Sequence, residues 1–513
     1  MVKHKTAAIY DRWLSTLGGG EQVVFAYAQT LNKLDYDVTL LTHKKFDTHL
    51  VTKKIGVSLK DISIKFLPEY SSQEISGISE KFDLFINTSH LDYFSNRSKL
   101  GVLSVFFPGQ ISLSFFGYVK RALFVPILRR LFIYPSRYEG FTYDQYINGK
   151  ILKWLSHESS IVFKNSIKYF EIELYFPNFT FSVIDRITFS LSGKTIDYEM
   201  RKVDQETNTI IYGFRLKSTV NKSFTIILPK NKYSAKIALT TLTIPHIRFA
   251  LYNAFKKMFP VWEMRLHGGP SVTRTADLLS YDKIITISQF CQKWIKRYWK
   301  VHAEVLYPPV NTTAFFPAKQ KKNIILHVGR FFITGHSKKQ FELVTAFKQL
   351  NQKIQDNWEL HFVGSVAEGQ NHQHYLNLVR SQAIGYPIFF HIDASFNELQ
   401  KLFSQAKIYW HATGFGENEE ESPILFEHFG ITTVEAMASG CVPVVINAGG
   451  QKEIVTSESG FKWNSIDELV QHSLMLINDS KLLKRYSSAA ILRSKYFSKE
   501  NFKTRFIKLI LQT

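Results

Sequence analysis

With 513 residues, 45% of them hydrophobic and 15% aromatic, the chain is too long for a single core and too apolar to be disordered, so two or three domains are expected. Two cysteines, Cys291 and Cys441, exclude a disulfide framework and a cysteine-based zinc site, and suit a reducing compartment. The net charge of +21 is uneven: residues 1–310 carry 42 basic and 25 acidic side chains (+17), and residues 311–513 carry 22 and 18 (+4). Such an excess draws nucleic acid or an anionic membrane surface; no nucleic-acid module motif is present, so the membrane reading is favoured.

The start, MVKHKTAAIYDRWLS, has no apolar signal core and runs into a strand at 7–10. The loop Leu17-Gly18-Gly19-Gly20 and a helix at 21–33 follow, then a strand at 38–42. This βαβ start lacks the dinucleotide spacing, but three glycines allow the backbone to approach a phosphate or sugar closely. Strands are expected at 82–87 and 102–107, with His90 a weak polar candidate in the loop after the first. Residues 101–119 are uncharged, yet Pro108, Gly109 and Gln110 interrupt them, which argues against a membrane span. Residues 115–135 mix bulky apolar side chains with Lys120, Arg121, Arg129 and Arg130. They suit either an element lying in a membrane interface or a core helix pair with basic outer faces.

From about 160 to 245 the texture changes to alternating apolar and polar residues between turn signals, the pattern of an antiparallel β-sandwich. A basic amphipathic helix at 248–259 and a strand at 282–288 come next, then a helix at 289–299 and a stiff link, Leu306-Tyr307-Pro308-Pro309-Val310. Beyond it strands and helices alternate, which predicts a parallel doubly wound sheet. The loop after its first strand holds Gly329-Arg330 and Gly335-His336-Ser337-Lys338-Lys339, cations placed to clamp a diphosphate. The loop GFGENEEE at 414–421 is acidic, but nothing fixes ligand geometry, so it reads as a solvated loop and no metal is expected.

The densest chemistry lies in EHFGITTVEAMASGCVPVVINAGG, residues 427–450. Glu427 and Glu435 stand eight positions apart around the turn Phe429-Gly430-Ile431. Thr432 or Thr433 can cap a helix carrying Glu435 in its first turn, and a buried strand then leads to Asn447-Ala448-Gly449-Gly450. Carboxylates accept from sugar hydroxyls, and free N–H groups hold hydroxyl or phosphate oxygens.

This arrangement, Glu-x7-Glu with Phe-Gly-Ile inside and Glu-Ala-Met-Ala-x-Gly-x-x-Pro-Val-Val after it, resembles the donor-site signature of GT4-type retaining glycosyltransferases of the GT-B fold, the group 1 glycosyl transferases. The resemblance covers residues 270–470 strongly and 1–110 weakly. It implies an α/β architecture of two Rossmann-like domains facing a cleft, here with an inserted β-sandwich-like domain. The expected bounds are an N-terminal acceptor domain over 1–155 and 246–310, an insertion over 156–245, a donor domain over 311–495 and a helix crossing back over 496–513. By motif position the resemblance gives Glu427 the donor sugar and Glu435 the nucleotide ribose. It gives Arg330 and Lys338 (preferred to Lys339) the leaving diphosphate. Gly18, Gly19, Gly20, Gly329, Phe429, Gly430, Ile431, Gly449 and Gly450 line the donor. His428 stands where many members have Gly, and Phe106 stands where relatives often have His near the acceptor.

The implied activity is metal-independent hexosyl transfer from a nucleotide-sugar to a glycan or lipid-linked saccharide with retention of configuration. The nucleotide-sugar is a substrate, and no cofactor is expected. The expected location is the cytoplasm, with an anionic cytoplasmic membrane face as a further partner and no nucleic acid. A catalytically inactive glycan- or membrane-binding protein is the rival, for which Phe106 is the hint. Within the same fold, a sugar-phosphate synthase or a phosphorylase carrying Lys-bound pyridoxal phosphate competes.

Overall fold

The structure is a computed structural model describing residues 5–511, apart from 17, 49–50, 52–56, 68–71, 91, 110–114, 148–149, 164, 177–183, 217–221, 230–236, 260–265, 267–274, 333–336 and 367–369. Two compact units make up the chain: Met1–Phe66, Ser76–Ile111 and Arg274–Thr513 form one, and Leu67–Ile75 with Ser112–Thr273 the other.

The first unit has two lobes, each built on a parallel sheet. In the N-terminal lobe the strand Lys5–Tyr10 sits between Tyr36–Thr42 and Leu84–Asn87, and Leu100–Val105, Lys283–Thr286 and Glu304–Val305 extend the latter side. Residues Ala7 to Tyr10 are fully buried, as a strand covered on both faces requires. The helix Gly19–Asn32 buries Val23, Val24, Tyr27 and Leu31, a spacing of three to four that makes one apolar stripe. Against it lies the final helix Lys499–Leu511, whose Phe502 and Phe506 rings stand 5.4 and 4.7 Å from the Tyr27 ring.

In the C-terminal lobe the strands run Ile388–Ile392, Glu359–Gly364, Ile324–Val328, Ile408–His411, Val442–Ile446 and Phe461–Trp463 across the sheet. In chain order this is 3-2-1-4-5-6. The direction of winding therefore reverses between Ile324–Val328 and Ile408–His411, where open α/β sheets hold their ligands beyond the strands' carboxyl ends. The N-terminal lobe has the corresponding reversal between Lys5–Tyr10 and Leu84–Asn87. An apolar cluster joins the lobes, with Phe107, Phe290 and Trp294 from one side and Phe426, Phe429 and Met437 from the other.

The second unit is one nine-stranded antiparallel sheet rather than a pair of packed sheets. Its sheet begins at Pro135, earlier than the expected 156. The long strands Pro135–Ile147 and Lys150–Phe163 pair with several register shifts, which break the period-two alternation that would have announced them. The sheet curls on itself. Phe189, near one edge, lies with its ring 4.9 Å from Tyr212, near the other, and Phe170, Phe214 and Phe224 fill the space between. Its interior is thus sandwich-like although the strand order is continuous. Residues 115–131 form one helix, Phe115–Leu131, with Pro126 inside it, not a helix pair.

Candidate active site

The reversal in the C-terminal sheet brings together the two loops that carry the charged motifs. Gly329 and Arg330 leave the strand Ile324–Val328, and Gln340 staples the turn by donating Nε2 to the carbonyls of Gly329 (3.3 Å) and Arg330 (3.1 Å). A side chain at Gly329 would put its Cβ 2.7 Å from Lys338 Cγ, so the glycine is what lets Lys338 lie across the strand end. Lys338 then reaches Glu427, Nζ to Oε2 at 2.5 Å, while Lys339 takes a left-handed φ of +56° and turns to Glu417 at 2.7 Å. The geometry therefore brings Lys338, and not Lys339, to the first motif carboxylate. Arg330 is exposed at the same strand end. Gly335 and His336 lie outside the described residues.

Glu427 has a second partner that the sequence reading missed. His411, the last residue of Ile408–His411 and buried, places Nε2 at 3.1 Å from Glu427 Oε2. Burial pushes the His411 ring below its usual value, so it stays neutral and donates Nε2–H to the carboxylate. Beneath the pair lies His327, whose Nδ1–H donates to the Trp410 carbonyl at 3.0 Å and whose pKa burial lowers to about 3. His327 Nε2 and His411 Nδ1 are buried without a hydrogen-bond partner among the described residues. The available signal was positional: a histidine in or at the end of a buried strand, next to the winding reversal, is where a ligand-facing group belongs.

Glu435 differs from the expectation. The helix starts at Ile431 with Gly430 as its cap at φ +123°, a conformation closed to ordinary side chains, and a Cβ there would sit 2.1 Å from Gln451 Nε2. Thr432 and Thr433 are therefore inside the helix, not capping it, and Glu435 falls in the second turn, beyond most of the dipole's help. Thr432 Oγ1 bonds Tyr409 Oη at 2.8 Å instead. No described group donates to the Glu435 carboxyl, and burial pushes it up to about 8. It lines a cavity of about 390 Å³ with Gln22, Ala26, Asn311, Phe315, Phe396 and Lys499.

The glycines are used differently from one another. Gly18 N donates to Glu21 Oε2 at 2.6 Å, which spends that N–H. A Cβ on Gly19 would stand 3.2 Å from Ile431 Cδ1, so the first lobe's glycine loop abuts the turn 429–431, and Gly20 faces the Phe106 ring. Gly450 N donates to the Glu427 carbonyl at 2.7 Å and Gly449 N to Glu419 at 3.4 Å, which pins the loop 447–450 under Glu427. Phe429 buries its ring between the lobes, 5.4 Å from Phe497, leaving its backbone to the turn. His428 stacks on Phe107 at 4.2 Å, and His90 is exposed.

The sequence profile of the family described as "Glycosyl transferases group 1" matches residues 311–493, the lobe that holds this constellation. Residues 311–493 are a group 1 glycosyl transferase domain. Two solved structures share the GT-B fold of this glycosyltransferase. One is a glycosyltransferase from Rickettsia africae ESF-5 (TM-score 0.51, 12% identity, 99% of this chain and 98% of that one). The other is Anabaena HepE in complex with UDP (TM-score 0.52, 11% identity, 99% and 100%). Among curated relatives, the Dictyostelium discoideum GDP-Man:Man(3)GlcNAc(2)-PP-Dol alpha-1,2-mannosyltransferase is 22% identical over 409 residues, 75% of this chain and 71% of that protein. The human protein of the same description is 27% identical over 252 residues, 45% and 48%. The chain thus spans about half the length of its human relative. The constellation lies within the residues that this profile matches.

Its acidic loop holds the lobes of the glycosyltransferase together. Glu419 pairs with Lys452 at 3.0 Å, and Glu420 pairs with Lys293 at 2.7 Å and with Arg297, both on the helix Gln289–Trp299 of the first lobe. Glu453 accepts from Gln289 N (2.9 Å) and Phe290 N (3.2 Å), so a C-terminal carboxylate caps an N-terminal helix.

At the N-terminal reversal, Asp92 accepts from Tyr10 Oη (2.6 Å) and Arg12 Nε (2.9 Å). Asp11 accepts from Trp13 N (2.7 Å) and Thr88 Oγ1 (3.1 Å), and burial raises its carboxyl to about 7.

Proposed function

We propose that this glycosyltransferase moves a hexose from a nucleoside-diphosphate sugar to a lipid-linked saccharide with retention of configuration, with GDP-mannose the first donor to test. The observation that carries the reading is the set Lys338, Glu427 and His411 at the winding reversal, with Glu435 eight positions beyond Glu427. The printed names of the curated relatives supply the choice of donor and acceptor class.

In this reading Glu427 accepts from hydroxyls of the donor sugar, Glu435 from the ribose, and Arg330 and Lys338 hold the diphosphate. The bond from the anomeric carbon to the diphosphate breaks with its electron pair leaving on the β-phosphate oxygen. The acceptor oxygen bonds to the same face of the sugar, and its proton passes to that phosphate. Preorganised cations and first-turn N–H groups stabilise the growing negative charge. The cations take the role a metal would otherwise have, so transfer persists in EDTA. The protein works at the cytoplasmic face of a membrane, where a lipid-linked acceptor presents its glycan.

The test is transfer from GDP-, UDP- and ADP-sugars to a short-chain lipid-diphosphate saccharide, with the product's anomeric configuration read by NMR. Retained configuration with GDP-mannose supports the reading. Inverted product refutes retention, and an absence of donor-induced thermal shift with every nucleotide-sugar refutes the donor site.

A further inference from the structure

The second unit leaves apolar surface bare. In the helix Phe115–Leu131, Val125 and Leu128 pack on the curled sheet's core, while Leu123, Phe124 and Ile127 are 60%, 52% and 58% exposed. In the helix Ile247–Met258, Phe249 and Tyr252 are buried in the same core, while Ile247, Leu251 and Met258 are 70%, 46% and 67% exposed. Residues 247, 251 and 258 follow helical spacing, so this helix has two apolar stripes, one buried and one bare. The helices are neighbours. Arg248 donates Nε to the Leu131 carbonyl at 2.7 Å and Nη2 to the Arg130 carbonyl, capping the end of the first helix, and the Phe132 ring lies 5.0 Å from that of Phe255, tilted by 43°.

Charge decides what covers this surface. Residues 112–273 hold 23 basic and 11 acidic side chains, +12 of the chain's +21. No carboxylate occurs from 100 to 138 or from 207 to 262, the stretches that contain both helices. Around the bare apolar stripes stand Arg129, Arg130, Lys256 and Lys257, all exposed. No described helix is long and apolar enough to cross a bilayer. Exposed large apolar side chains with cations beside them fit an interface of acyl chains beneath anionic headgroups.

We infer that these two helices form the surface by which the second unit docks onto an anionic lipid bilayer, with the apolar stripes inserted and the cations in the headgroup layer. This deepens the proposed use of a lipid-linked acceptor and rests on that reading for its purpose, not for the binding itself.

The experiment is co-sedimentation of the full chain with phosphatidylcholine vesicles, with and without about a third phosphatidylserine. Wild type is expected to bind the anionic vesicles and to keep a residual fraction at high salt, since screening removes the charge part but not the inserted part. The variant Leu123→Ser/Phe124→Ser/Ile127→Ser should lose the salt-resistant fraction. Arg130→Ser/Lys257→Ser, altered only at exposed cations and so still informative should the first variant fail to fold, should bind about fivefold more weakly per cation removed at low salt. Failure of wild type to bind anionic vesicles at low salt overturns the inference, as does undiminished binding by both variants. Donor-induced thermal shift is measured on the same proteins: its loss in wild type would sink the donor reading while leaving the docking result standing.

Discussion

The two lobes of the first unit share a winding order and differ in what they do at its reversal. In the N-terminal lobe the polar groups there consume one another: Asp92 takes Tyr10 and Arg12, and Asp11 takes Thr88 and the Trp13 N–H. In the C-terminal lobe capacity is left over. Arg330 is exposed, Glu435 has no donor, and two buried histidine nitrogens have no partner among the described residues. A crevice whose polar groups are satisfied internally is a scaffold, and one whose groups are held in place but unsatisfied is ready for a ligand.

Breaking the C-terminal side should cost activity more than stability. Glu427→Ala removes the partner of Lys338 and His411 together and should lower kcat about 10²–10³-fold, checked by initial rates with saturating donor. Lys338→Ala should lower kcat by about a hundredfold and raise KM less, because charge on the leaving group grows toward the transition state; Lys339→Ala should do neither. Equal damage from Lys339→Ala would mean that the loop's register in solution differs.

Breaking the N-terminal side should do the reverse. Asp92→Ala removes the acceptor that Tyr10 Oη and Arg12 Nε share, while Tyr10 Oη keeps His43 Nε2 at 3.0 Å, and should cost about 1–3 kcal/mol in chemical denaturation, with donor affinity unchanged.

A subtler effect separates the two motif carboxylates. Burial holds the Glu435 carboxyl at about 8 against an ordinary value of 4.5, so the folded chain keeps a proton that the unfolded chain releases. That stabilisation is complete below 4.5 and fades as pH rises through 8. Glu435→Gln should therefore flatten the fall of Tm across this window, and added donor should restore a pH dependence only in wild type. The smallest effect is expected at the lobe contact: Lys293→Ala removes exposed pairs worth about 0–1 kcal/mol and should change Tm barely at high salt.

What the sequence disclosed was what lies contiguous in it. Glu427, Glu435 and the glycine turn fall within nine residues, and the parallel sheet of the C-terminal lobe announces itself by alternation. His411 and His327 were invisible because each is a lone histidine in an apolar strand, and only the sheet order puts them under Glu427. The position of Glu435 was misjudged because the threonines offered better caps than a glycine at positive φ, and the packing of Gln451 against Gly430 decided otherwise. The early start of the antiparallel sheet was hidden by its irregular first pairing. The acidic loop read as solvated, since its partners Lys293 and Lys452 are far off in sequence.

The contact of Tyr27 with Phe502 and Phe506 sets an order on how the protein can be made. A nascent chain exposes its first lobe hundreds of residues before the helix that covers Tyr27 leaves the ribosome, and the strand Lys283–Thr286 of that lobe's sheet is also late. The first lobe to emerge is therefore the last to close, and the lobe holding Glu427 can finish folding before it. An early lobe with one bare apolar flank is the part of this protein for which a chaperone has most to hold.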